Sequence, residues 1–120
     1  MNKIMLIFAL MLLAPAAWAG EADVVDVRVS GANGIYRFDV TVKHADTGWD
    51  HYADAFEVVS PDGQILGTRV LLHPHVSEQP FTRSLGGMRL PDDLKAVDVR
   101  ARDKVHGLGG AVMRVSLPKR

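Results

Sequence analysis

The chain opens on an apolar run, Ile4 to Leu13, and beyond residue 20 its hydrophobic positions switch to strict alternation. Val25, Val27 and Val29 alternate with Asp26 and Arg28, and Tyr36, Phe38, Val40 and Val42 alternate with Arg37, Asp39 and Thr41. A period of two sends one face to a core and the other to water, so both stretches read as half-buried strands. Gly31-Ala32-Asn33-Gly34 between them tolerates positive φ and predicts a turn. A third strand is expected over 55–60 and a fourth over 64–72, joined by the tight turn Ser60-Pro61-Asp62-Gly63. Further strands are expected over 81–85, along Val97, Val99 and Ala101, and over 111–117.

Seven short antiparallel strands with near-regular turn signals predict an all-β domain, an immunoglobulin-like or fibronectin-like β-sandwich, with a small closed barrel as the rival. The opening run belongs to something else. Lys3, the apolar stretch and the small residues Ala17 and Ala19 before Gly20 have the three-part form of a secretory signal peptide. Pro15 interrupts the run before the roughly 20 apolar residues that a membrane span needs. The expected product is therefore residues 1–19 removed as a leader and residues 20–120 as one β-sandwich domain, exported to the periplasm. No cysteine follows the run, so a lipid anchor is not expected.

Composition narrows the chemistry. The 14 acidic residues all follow the leader and Lys3 is the one basic residue within it, leaving 13 basic residues and a formal charge of −1. Interspersed charges near neutrality argue against a nucleic-acid partner. The absence of cysteine excludes thiolate zinc sites, iron–sulfur clusters and the thiolate of blue copper.

The five histidines supply the candidate chemistry. If successive strands reverse direction, connections two (44–52), four (73–80) and six (103–110) share one pole, and together they contain His44, His51, His73, His75 and His106. Imidazole is a common transition-metal ligand and is neutral near pH 7. In His73-Pro74-His75 the proline favours extended backbone, which points both rings to one side. The expected ligand set is His73 and His75 with help from His44, His51, Asp46, Asp50 and His106, and the expected ion is Cu(II) or Zn(II). The plainer reading is that these rings bond loop carbonyls. Glu78 and Arg83 are expected to form an ion pair that pins connection four.

The segments 44–54 (HADTGWDHYAD), 72–84 (LHPHVSEQPFTRS) and 103–110 (DKVHGLGG) resemble a family of small exported bacterial proteins of unassigned activity. The resemblance implies an exported domain and assigns no catalytic residue. In size, compartment and cysteine-free ligation the chain is also similar to periplasmic copper carriers with a β-sandwich fold. It lacks their methionine-rich stretches, with only Met88 and Met113 beyond the leader.

These features favour a periplasmic metal-binding carrier or sensor over an enzyme. The alternative is an envelope interaction module that docks a partner protein through Trp49, Tyr52, Phe81 and Arg83. A metal-dependent hydrolase using Glu78 or Asp50 as base is the weakest reading, because so short a chain leaves little room for a cleft.

Overall fold

The computed structural model describes residues 20–119; the leader assignment for 1–19 lies outside them. The described residues form eight strands and no helix: β1 (Asp23–Ala32), β2 (Ile35–Lys43), β3 (Ala53–Val59), β4 (Ile65–Val70), β5 (Phe81–Arg89), β6 (Ala96–Asp103), β7 (Gly107–Leu108) and β8 (Met113–Ser116). They build two antiparallel sheets. The first has the order β1-β2-β5. The second runs β4-β3-β6, and the far edge of β6 is shared by β7 at one end and β8 at the other.

Alternation supplies the core. Tyr36, Phe38, Val40 and Val42 on β2 meet Phe56 and Val58 of β3 and Val97, Val99 and Ala101 of β6 in one apolar cluster. Phe38, Val40, Val42, Phe56, Val58, Val97 and Val99 are fully buried. Burial of each such side chain stabilises the fold by about 1.5–3 kcal/mol.

The count of seven strands is corrected to eight. Connection six, expected to be a plain loop, contains the two-residue β7, which pairs Leu108 with Arg102 and Gly107 with Asp103. The chain turns into it at Gly107, whose φ of 68° favours glycine. Two further expectations change. A register shift between Val24 and Asp26 buries Val24 and leaves Val25 exposed, because a bulge moves the next residue to the other face. The fifth strand, expected over 81–85, runs on to Arg89.

At one pole the connections are short. Asn33 and Gly34, with φ of 57° and 82°, form a two-residue loop between the paired Ala32 and Ile35, as a hairpin with matched twist requires. The Gly63 amide bonds the Ser60 carbonyl to close the β3–β4 turn. At the opposite pole the connections are long and tied to one another. Lys104 bonds Tyr52 through backbone and Trp49 through its ammonium. The His75 amide bonds the Asp46 carboxylate.

Candidate metal centre

Two inward-facing rows run out of the core into this pole and become polar. On β2 the row Tyr36, Phe38, Val40, Val42 continues to His44 and Asp46, and on β6 the row Val97, Val99, Ala101 continues to Asp103. All three polar side chains are buried. His51 joins them because connection two folds back on itself, with the Thr47 amide bonded to the His51 carbonyl and the His51 amide to that of Gly48.

The hydrogen bonds fix where protons lie. Asp46 is a satisfied buried carboxylate that accepts the Ala53 amide at 3.0 Å, the His75 amide at 2.7 Å and His44 Nδ1 at 2.5 Å. His44 Nδ1 therefore carries a proton, which in a neutral ring leaves a lone pair on Nε2. That nitrogen faces the Gly20 carbonyl oxygen at 3.1 Å and Asp103 Oδ2 at 3.8 Å, and both are acceptors. His51 Nε2 lies 3.1 Å from the same Gly20 oxygen and 3.3 Å from Asp103 Oδ1.

Asp103 is fully buried, and its two oxygens differ. Oδ1 accepts the backbone amides of Val105 at 2.8 Å and His106 at 2.6 Å, with His106 Nδ1 at 3.2 Å. Oδ2 has no hydrogen-bond partner. Burial pushes this carboxyl up, but the amides of His106 and Val105 and the nearby rings of His106 and His44 outweigh it and hold the pKa below the ordinary carboxylate value. The group is a charged carboxylate with an unsatisfied oxygen.

A lone pair, an unpaired carboxylate oxygen and a carbonyl oxygen converging in a buried space require a cation between them, either a proton on the imidazole or a metal ion. The spacing suits an ion. One ligand atom from each of His44, His51 and Asp103 lies within 4.8 Å of the others. Bonds of about 2.1 Å in tetrahedral array separate donor atoms by about 3.4 Å, so small side-chain shifts would close this set. Two imidazoles and a carboxylate match the borderline donors of zinc, copper(II) and non-haem iron sites. Asp46 on the far nitrogen of His44 is the outer carboxylate that ligating histidines regularly have.

Of the residues singled out from sequence, His44 and His51 form this cluster with Asp103, and Asp46 backs His44 without facing the ion space. His106 stands beside it, its exposed ring 5.0 Å from that of His51. His73 and His75 are paired with each other, at 4.8 Å between centroids, in a separate place. His75 stacks on Phe81 at 3.9 Å, and Arg83 donates to its Nε2 at 2.8 Å. Burial first, then the charges of Arg83 and His73, holds the His75 pKa below its ordinary value. Arg83 also lies 3.8 Å from Glu78. Asp50 is exposed at the tip of connection two.

Sequence reasoning missed Asp103 and Gly20. The signal for Asp103 was present: an aspartate two residues beyond Ala101 on an inward row is a charge aimed into the core end. Gly20 gave no such signal, because a backbone oxygen has no side-chain type to read. The segment 20–24 is clamped against the end of connection six, where the Val24 amide donates to the Ala111 carbonyl and the Ala111 amide bonds the Asp23 carboxylate. Gly110 is required there, since a Cβ would fall 1.9 Å from the Ala22 carbonyl oxygen. A cleft of about 440 Å³ lined by Gly20, Glu21, Asp23, Val25, Lys43, His44 and Ala45 opens beside this segment.

No protein-family model matches the chain. A candidate lipoprotein of Halomicrobium mukohataei is 46% identical over 96 residues, which are 79% of this chain. The chain spans 47% of that relative's length. Among solved structures, a hypothetical protein from Pyrococcus horikoshii superposes with a TM-score of 0.55 at 14% identity, covering 84% of this chain and 91% of that one. Superoxide reductase in its oxidised state superposes with a TM-score of 0.52 at 16% identity, covering 84% and 92%. At these identities the two structures share the fold.

Proposed function

We propose that the protein is an exported metal-binding domain of immunoglobulin-like sandwich architecture, which holds one divalent first-row ion between His44, His51 and Asp103. The observation that carries this reading is the unpartnered Oδ2 of buried Asp103 facing the lone-pair side of His44. A carrier or sensor role in the cell envelope fits the leader-like N-terminus and the lipoprotein relative. Zn(II) and Cu(II) suit two imidazoles and a carboxylate. The likeness to superoxide reductase adds a narrower possibility for a redox-active ion, electron transfer to superoxide, here without any thiolate.

Titration of the purified protein with Zn(II) and Cu(II) tests the proposal. One ion per chain with Kd below about 1 μM, abolished in a His44→Ala, His51→Ala double variant, is expected. Absence of binding tighter than about 1 μM, or binding indifferent to both substitutions, overturns it. Superoxide decay followed with the copper-loaded and iron-loaded protein separates a redox role from simple carriage.

A second reading, a docking pole for an envelope protein, is favoured by Trp49, Leu72, Val76 and Val105, all large and exposed on or beside connections two, four and six. Phe81, an expected anchor of that surface, is instead buried under His75.

A further inference from the structure

The expected leader cleavage site and the candidate ion site meet at one residue. The Gly20 carbonyl oxygen stands 3.1 Å from Nε2 of both His44 and His51, and Gly20 is the residue at which the exported chain is expected to begin. We propose that removal of the leader completes the metal centre: the freed α-amine of Gly20 and its carbonyl oxygen chelate the ion beside His44, His51 and Asp103. The inference rests on the metal-binding reading above.

The chemistry turns on what hydrolysis does to one nitrogen. In the precursor the Gly20 nitrogen belongs to the Ala19–Gly20 amide, where its electron pair is delocalised into the carbonyl and is no ligand. A leader peptidase adds water across that bond, leaving a carboxylate on Ala19 and an amine on Gly20. The amine, once deprotonated, has a lone pair. Three bonds separate it from the Gly20 carbonyl oxygen, so the two atoms close a five-membered chelate ring on a common ion.

Two observations indicate that this end of the chain is built into the site. The segment that follows is held in place by the Val24 to Ala111 backbone bond, the Asp23 to Ala111 bond and burial of Ala22. A side chain at position 20 would collide with the His106 ring, 2.6 Å from Cε1. Glycine at the cleavage point therefore leaves room for the His106 ring while its carbonyl oxygen lies against both ligand nitrogens.

The test compares the exported, processed protein with a form carrying one alanine inserted between Ala19 and Gly20, each N-terminus read by mass spectrometry. The insertion leaves every side-chain ligand in place and moves the amine one residue away. The Gly20-initiated protein is expected to bind Cu(II) at least about tenfold more tightly, with a visible band at shorter wavelength from the additional nitrogen ligand. Bound Zn(II) is expected to protect its α-amine from reductive methylation. Equal affinities with identical Cu(II) spectra overturn the inference while leaving the His44, His51 and Asp103 site standing. A processed protein that begins elsewhere than Gly20 overturns it as well. If the Gly20-initiated protein binds no better than its His44→Ala variant, the metal-binding reading fails and this inference falls with it.

Discussion

Connections two and six place three imidazoles around one buried carboxylate, whereas connection four places two imidazoles beside an arginine and a phenyl ring. The residue type is the same and the surroundings are opposite. Around Asp103 the ring nitrogens of His44 and His51 face oxygens, one of them unpartnered. Around His75 the ring's Nε2 faces a guanidinium and the ring face is covered by Phe81. Oxygen acceptors attract a cation, and a guanidinium repels one. Proximity of histidines is therefore a weak sign of ligation, and the charge of what they face decides between a centre and a strut.

The comparison breaks most visibly at Asp103. Replacing it with alanine strands the amides of Val105 and His106 and removes the buried charge, so a loss of about 2–3 kcal/mol in denaturant midpoint analysis is expected, together with loss of ion binding. Asp103→Asn separates the two effects. The amide side chain keeps an acceptor for those backbone groups, so stability is expected to drop less while affinity falls at least about 100-fold by titration.

The next contrast is between the two groups of rings. His51→Ala is expected to weaken Zn(II) binding by about 100-fold, whereas His73→Ala changes it less than about threefold in the same calorimetric titration. Equal losses would erase the distinction. The outer carboxylate comes below these: Asp46→Asn leaves His44 in place and removes the charge behind its Nδ1, and an affinity loss of about 10-fold is expected.

The smallest effect concerns protons at connection four. Burial, Arg83 and His73 depress the His75 pKa, so the folded chain takes up that proton less readily than the unfolded chain. The stability contribution of neutral His75 is full above the unfolded pKa of about 6.5 and is lost as pH falls through that value toward the folded pKa. A His75→Phe variant, which keeps a ring on Phe81 without a titrating nitrogen, is expected to show a shallower fall of melting temperature below pH 6.5. A slope equal to that of the parent would show that His75 titrates normally.

Much of this was legible in the chain. The two-residue alternation of β1, β2 and β6 and the turn residues at 31–34 and 60–63 located most strands, and antiparallel parity placed connections two, four and six together. The bulge at Val24 was not legible, because alternation continues smoothly through Val25, Val27 and Val29 and says nothing about a register shift opposite Val42 and Thr41. Nor was β7, two residues long and held by pairing with Arg102 and Asp103 rather than by its own pattern. Within the site, His-Pro-His drew attention by its spacing, yet spacing fixes which rings are neighbours and not what they face. Asp103 was marked by the inward row of β6, and Gly20 only by its place after Ala19.

The central claim is that the ion goes to His44 and His51 and not to His73 and His75. Nitrogen-15 NMR of the imidazoles in the processed protein, recorded with increasing Zn(II), measures this directly. The account predicts that Nε2 of His44 and of His51 moves to the metal-bound shift at one equivalent of zinc, with His73 and His75 unchanged. Movement of His73 and His75 first, or no movement in any of the five rings, would contradict it.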